Sequence, residues 1–216
     1  MAKKTDARAR PRKRPADLRE ACVEEALAIV GESGLEALSL REVARRLHVS
    51  HQAPYKHFAS RDHILAEVVG RAFAGFARHL DARPRSANPM EDLAQLGLAY
   101  LGFARTHPLH YRLMFGTPLP DPGRHPEMMK QARHAFAILL DGVARLHGRP
   151  ADTLSELDAL FVWASMHGLA GILQSHALQT LDLQDSVLSA AIPHALLKIR
   201  FALDGDERVK QAPAGR

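Results

Sequence analysis

Between Ser39 and Phe58 the chain reads SLREVARRLHVSHQAPYKHF, and this segment restricts the possible fold more than any other. Ser39 and Glu42 stand three apart, the spacing of a capping box in which the serine hydroxyl accepts from the Glu42 amide while the carboxylate reaches back. Leu40, Val43, Ala44 and Leu47 follow at helical spacing, which predicts a short helix with one inward face. His48-Val49 makes a turn, and Ser50 stands where it would cap a second helix running to about Phe58. Helices this short are unstable alone because nucleation is costly. A pair of them serves to present the second helix's outer face, as reading a DNA major groove requires. The pattern predicts a helix-turn-helix.

The flanking sequence completes a bundle. Leu18, Cys22, Ala26 and Ile29 form an apolar stripe on a preceding helix that ends near Ser33-Gly34, with Gly34 as a left-handed stop. Ser60 is placed to cap a following helix over about 61–80, with Asp62 in its positive first turn and Ile64, Leu65, Val68 and Val69 continuing it. ARPRSANP (82–89) then reads as a break between domains. Helical patterns follow at roughly 89–106, 107–115, 126–147, 152–177 and 184–204, interrupted by a Pro- and Gly-rich surface loop at 116–126, by HGRP (147–150) and by 179–185. No stretch alternates like a strand. The expected fold is all-α: an N-terminal three-helix DNA-binding bundle at 16–80 and a larger helical ligand-binding and dimerisation domain at 81–204.

Residues 15–70 resemble the tetracycline-repressor (TetR) family of bacterial transcriptional regulators. The likeness rests on ESGLEALSLREVA, VSHQAPYKHF and SRDHIL, in the order and spacing of Val49-Ser50, Tyr55, His57-Phe58 and Arg61. The C-terminal half, through HPLHYRLMF (107–115) and Trp163 followed by His167-Gly168, is similar to the WHG ligand-domain subgroup. One position departs from the family pattern: His48 stands where the turn usually carries glycine, and histidine enters the left-handed region more readily than most residues.

Charge is concentrated at one end. Residues 1–15 hold seven Lys and Arg against Asp6, a local charge of +6 in a chain of +5, so the remainder sums to −1. With Pro11, Pro15 and few apolar residues, this arm is expected to be disordered. Beside a helix-turn-helix it would follow phosphates or enter a minor groove; a solubility role is the alternative. Residues 205–216 read as a flexible tail.

On the second helix of the motif, His51, Gln52, Ala53, Tyr55, Lys56 and His57 are the candidates for the outer face. Gln52 is the base reader, since an amide pairs bidentately with adenine, and Ala53 suits a thymine methyl. Tyr55, Lys56, His57 and Arg61 fit phosphate contacts that set register. Ser39 and Ser50 mark helix starts whose amides can meet phosphate. Pro54 stiffens the helix entry, and Phe58 reads as core. For Tyr55 packing against the first helix is the alternative, and the family resemblance favours contact.

In the second domain Phe103, Tyr111, Met114, Phe115, Met128, Phe136, Phe161, Trp163 and His167 supply walls for an apolar pocket with a few polar ends. The same spacing also suits plain core. His167 serves either as a polar anchor or to satisfy a buried carbonyl. Ala164, Gly168, Ala170 and Gly171 leave a flat face, and Leu188, Ala191, Ile192, Ala195, Leu196 and Ile199 a stripe; these complete the core or pair in a twofold four-helix bundle. The resemblance implies the homodimer, and a dimer would place two reading elements on a palindrome.

Rival classes find little. There is no G-x-S-x-G, phosphate loop, H-E-x-x-H or C-x-x-C pattern. The closest histidine pairs, His107/His110 and His48/His51, lack a third ligand. The single cysteine, Cys22, lies on an apolar stripe, fits a reducing cytosol and has no resolving partner. No catalytic residue, metal or cofactor is expected. An architectural or metal/redox-sensing DNA binder, or a helical enzyme, are the alternatives. No apolar run approaches the roughly eighteen residues of a membrane span. The expected partners are double-stranded DNA at a palindromic operator, a small apolar effector and a second copy of the chain, in the cytoplasm.

Overall fold

The computed structural model describes residues 17–116, 118–175, 178 and 180–211, with side chains described through Asp204. Among the described residues the chain is helical, without strand. The order is α1 (Leu18–Ser33), α2 (Leu40–Arg46), α3 (Arg61–Asp81), α4 (Pro89–Thr106), α5 (Pro108–Phe115), α6 (Pro126–Leu146), α7 (Thr153–Gln174) and α8 (Asp185–Gln211), with single 3₁₀ turns at Leu35–Ala37 and Pro54–Lys56. The all-α expectation holds. Two compact units divide inside α3, between Val69 and Gly70, and Pro118–Pro126 belongs to the first. The break expected at 82–89 is therefore a helix-to-helix connection inside the second unit. α3 runs unbroken past the division because 61–81 contains no helix-stopping residue.

Most helix ends follow their capping chemistry. The Asp17 carboxylate accepts from the Glu20 amide at 3.1 Å and opens α1. The Asn88 carboxamide oxygen accepts from the amides of Met90 and Glu91 ahead of α4, with Pro89 in its first turn. Asp152 accepts from the Ser155 amide at 3.0 Å and opens α7. Gly34 ends α1 at φ 82, ψ 170. That setting is glycine's own but is not the left-handed helical one expected. α8 continues to Gln211 instead of stopping at 204; residues 212–216 and the basic arm 1–15 lie outside the described residues.

The first unit's core gathers Cys22, Ala26 and Ile29 of α1, Leu38, Val43 and Ala44 of α2 and its approach, Phe58, and Ile64, Leu65 and Val68 of α3. Leu18 and Leu47, expected on these faces, are half-buried. Each Val, Leu, Ile or Phe buried among them is worth roughly 1.5–3 kcal/mol. Arg19 ties the unit together: its guanidinium lies 5.5 Å from the Phe58 ring centroid and pairs with Glu67 at 2.7 Å.

Candidate functional site

The Ser39 hydroxyl accepts from the Glu42 amide at 3.1 Å, as the capping spacing requires. Losing such a cap costs about 1 kcal/mol. The second half of the capping box is absent, because the Glu42 carboxylate turns outward to Arg45 at 2.7 and 2.8 Å and to Arg46 at 3.0 Å. Hydrogen bonds from Arg45, then Arg46, hold the Glu42 carboxyl down at about 2. Arg46 also reaches Glu32 at 2.6 Å and Glu25 at 3.5 Å, fastening α2 to α1.

His48 closes α2 in the left-handed region, at φ 55. The Val49 amide donates to the Ala44 carbonyl and the His48 amide to the Arg45 carbonyl, the paired bonds of a Schellman motif. The turn thus forms with histidine in the place of glycine, at the steric cost that a Cβ brings there.

The segment after the turn differs from expectation. A helix from Ser50 to Phe58 was expected; instead residues 51–53 form turns and Pro54–Lys56 one 3₁₀ turn. Pro54 is the reason. It has no amide to donate to the Ser50 carbonyl, which accepts from the Ala53 amide at 2.9 Å instead. The Phe58 amide returns to the Pro54 carbonyl at 2.9 Å, so the segment still closes as a compact coil. Ser50 therefore acts through its carbonyl at this start.

Side-chain placement within that coil is clear. Pro54 and Phe58 are buried, while His51, Gln52, Tyr55, Lys56 and His57 are exposed and Ala53 is half-buried. Tyr55 is 45% exposed. Ser50 is exposed and Ser39 half-buried. Arg61 sits differently: its Nε donates to the Leu38 carbonyl at 3.0 Å and its Nη2 to the Leu35 carbonyl at 2.7 Å. It braces the approach to α2 from the start of α3. Arg41 was missed. It is exposed in the first turn of α2, where a cation opposes the helix dipole and gains nothing internally; that misplacement was legible in the sequence.

In the second unit the expected pocket residues separate. Phe103, Tyr111, Met114 and Met128 are buried, whereas Phe115, Phe136, Trp163 and His167 are half-buried. Phe115 lies 6.0 Å from Trp163 and 5.2 Å from His167, and Phe136 lies 6.1 Å from Trp163, centroid to centroid. Phe161 points away and is 45% exposed. Met128 serves helix packing, since a Cβ on Gly70 would stand 3.5 Å from its Cα.

Tyr100 and Phe76 were missed. The Tyr100 hydroxyl lies 3.1 Å from the Tyr111 hydroxyl and 3.1 Å from His167 Nδ1, and the Tyr111 hydroxyl 2.7 Å from the same nitrogen. Burial pushes both phenols above their ordinary value, with the Trp163 indole N–H opposing slightly at Tyr100. Phe76 joins Tyr100 at 5.3 Å and Phe103 at 5.1 Å. Tyr100 falls in the apolar stripe Leu93, Leu96, Tyr100, Phe103 of α4, which was the available signal.

The small-residue face of α7 is open. Ala164, Gly168 and Gly171 are exposed, and a Cβ on either glycine would meet nothing within 4 Å. Ala170 is buried on the opposite side. On α8 the expected stripe faces inward: Ile199 is buried, Leu188, Ala191, Ile192, Ala195 and Leu196 are half-buried, and Leu196 would crowd a Cβ on Gly97 at 3.0 Å. The exposed apolar residues of α8 are instead Val187, Leu197 and Phe201, and those of α7 include Leu157, Phe161 and Ile172. Helix α8 carries two apolar stripes, and sequence spacing singled out the one that closes the core. Its span Asp185–Asp204 is long and apolar enough to cross a bilayer by length and composition, contrary to the expectation of no such run. Cys22 is buried, and burial pushes its thiol up. Among the described residues no three His, Cys, Asp or Glu side chains gather as a metal site.

Residues 23–68 match the family model described as bacterial regulatory proteins, tetR family, and residues 93–194 match the tetracyclin repressor-like C-terminal domain. The transcriptional regulator Rv1816 of Mycobacterium tuberculosis is 32% identical over 92 residues, 41% of this chain and 39% of that protein. The transcriptional repressor KstR2 of the same organism is 35% identical over 79 residues, 36% of this chain and 39% of the relative. The chain thus spans about two-fifths of the length of these relatives. A solved transcriptional regulator from Rhodococcus sp. RHA1 shares the fold at 22% identity and a TM-score of 0.61, over 88% of this chain and 97% of that one. The two family models between them take in more than half of the 216 residues, and the chain belongs to the tetR family of bacterial regulatory proteins.

Proposed function

We propose that the protein is a cytoplasmic, homodimeric transcriptional repressor that holds a palindromic operator and releases it when a small apolar effector binds. The observation that carries this reading is the coil after His48. Pro54 and Phe58 are buried in it, while His51, Gln52, Tyr55, Lys56 and His57 are exposed. A surface selected only for solubility has no reason to be fixed at both ends by buried anchors. Residues 16–80 form the DNA module in this reading and 81–204 the effector and pairing domain, of the WHG type, with the arm of 1–15 available to phosphates.

Gln52 and Ala53 read base edges, and His51, Tyr55, Lys56 and His57 set register on the backbone, with Ser39, Ser50 and Arg41 offering further phosphate contacts. Arg61 contributes by holding the module's shape. The repressor assignment follows the likeness to KstR2, a transcriptional repressor. The open faces of α7 and α8 pair with a second copy, which also accounts for an apolar α8 without a membrane. Effector filling the second domain shifts the dimer only if it binds the DNA-releasing state more tightly.

Fluorescence anisotropy on DNA flanking the gene tests the division of labour. Gln52→Ala is expected to erase about 10-fold or more of discrimination at one base position. Lys56→Ala is expected to weaken every duplex and lower the salt slope by about 1 per contact. Equal effects of both changes on specific and random DNA would sink the assignment.

A further inference from the structure

We propose that Tyr100, Tyr111 and His167 form the polar end of a recess in the second unit that takes a neutral, flat apolar molecule carrying one hydroxyl or carbonyl group. This rests on the effector reading above and names the effector's chemistry. Three helices deliver the groups: Tyr100 from α4, Tyr111 from α5 and His167 from α7. All three polar atoms lie within 3.1 Å of one another. Packing alone would be served more cheaply by phenylalanine, because polar groups placed in an apolar shell must all be satisfied.

The proton count shows what is left over. A neutral imidazole has one N–H, and each phenol has one O–H. With the proton on Nε2, the Tyr111 hydroxyl donates to Nδ1 across the 2.7 Å contact and the Tyr100 hydroxyl donates to the Tyr111 oxygen. The Tyr100 oxygen then takes the Trp163 indole N–H and keeps one further lone pair, suited to a ligand hydroxyl. With the proton on Nδ1, the chain reverses: Nδ1–H donates to Tyr111, Tyr111 to Tyr100, and the Tyr100 O–H is released for a ligand carbonyl. Either tautomer leaves an open hydrogen-bonding position at Tyr100.

The walls around that position set the rest of the class. Tyr100 and Tyr111 are buried, yet Phe115, Trp163 and His167 beside them are half-buried, as is Phe136 against Trp163, so the aromatic shell is not sealed from solvent. Ring faces and edges favour a flat apolar body. Among the described residues no cation pairs with the triad, and both phenols stay protonated. A carboxylate would therefore lose its hydration without gaining a countercharge.

Calorimetric titration of the full-length protein with naphthol, naphthalene and naphthoate tests this, with the emission of Trp163, the chain's one tryptophan, as a second readout. Naphthol is expected to bind about 10-fold tighter than either analogue. Tyr100→Phe and Tyr111→Phe are each expected to remove about 5-fold or more of that preference while leaving naphthalene affinity unchanged. Naphthalene or naphthoate binding as tightly as naphthol, no binding of any probe, or Phe variants that retain the preference would each overturn the proposal. The same preparations are assayed for operator binding. Operator protection without naphthol binding rejects the recess and leaves the regulator reading. Naphthol binding without operator protection supports the recess and rejects the regulator.

Discussion

Glutamate at Leu197 and Phe201 together is expected to turn a dimer into a monomer and to weaken operator binding by about 100-fold or more. Phe201 is 62% exposed and Leu197 47%, and by helical spacing they share one side of α8 with the exposed Val187. Monomeric soluble proteins rarely leave contiguous apolar patches of this kind uncovered. In a twofold pair each substitution enters the seam from both copies, so four carboxylates would be buried in one apolar interface. The DNA effect is larger than the contact loss itself. Joining two reading coils makes the second engagement intramolecular, and losing that linkage removes a factor of about 10²–10⁴. Sedimentation and anisotropy on one preparation check both halves. A variant that sediments as wild type shows that this face does not pair.

The second large effect concerns Asp92, whose carboxylate lies at the centre of three arginines. It accepts from Arg83 and Arg145 at 3.0 Å, pairs with Arg85 at 3.2 Å, and takes the Ser86 amide at 3.2 Å. Asp92 and Arg83 side chains are each 2% exposed. Burial alone would raise the Asp92 carboxyl, but the Ser86 amide and the Arg83 guanidinium outweigh it and hold it below the ordinary range. Asp92→Asn leaves the Arg83 charge buried without its partner, and removing one member of such a pair costs about 3–5 kcal/mol. Arg85→Ala, at a 54% exposed side chain, is expected to cost under about 1 kcal/mol. The folded-state carboxyl lies below its unfolded value, so its contribution is present above about pH 4 and fades as pH falls through the folded value. Urea midpoints at pH 7 and pH 3 are expected to separate wild type from Asp92→Asn by more at the first than at the second. Equal separation at both would show that the charge is not the source.

Local chemistry was legible in the sequence wherever a few neighbouring residues decide the outcome. The Ser39 cap, the His48 turn and the Asn88-Pro89 helix start all follow from spacing and backbone preference. So did the outward set from His51 to His57, because a buried Phe58 and Pro54 leave it no other side. What escaped required partners distant in sequence. Nothing near Arg61 announces that its donors reach the Leu38 and Leu35 carbonyls, over twenty residues earlier. Spacing picked out the fuller of the two apolar stripes of α8 but left core and pairing open as its role, and packing against α4 and α7 makes it core. Tyr100 meets His167 across 67 positions. The effect of Pro54 was legible in kind but not in degree: its stiffening was foreseen, and its conversion of a helix into turns was not.

The account stands on the exposed coil from His51 to His57 meeting a duplex. Hydroxyl-radical footprinting of DNA flanking the gene, at several salt concentrations, tests that most directly. The expected result is two protected half-sites of inverted sequence, centred about 34 Å apart on one face of the helix, with protection lost as salt rises. Uniform cleavage along every flanking duplex, at protein concentrations where the chain is folded, would contradict it.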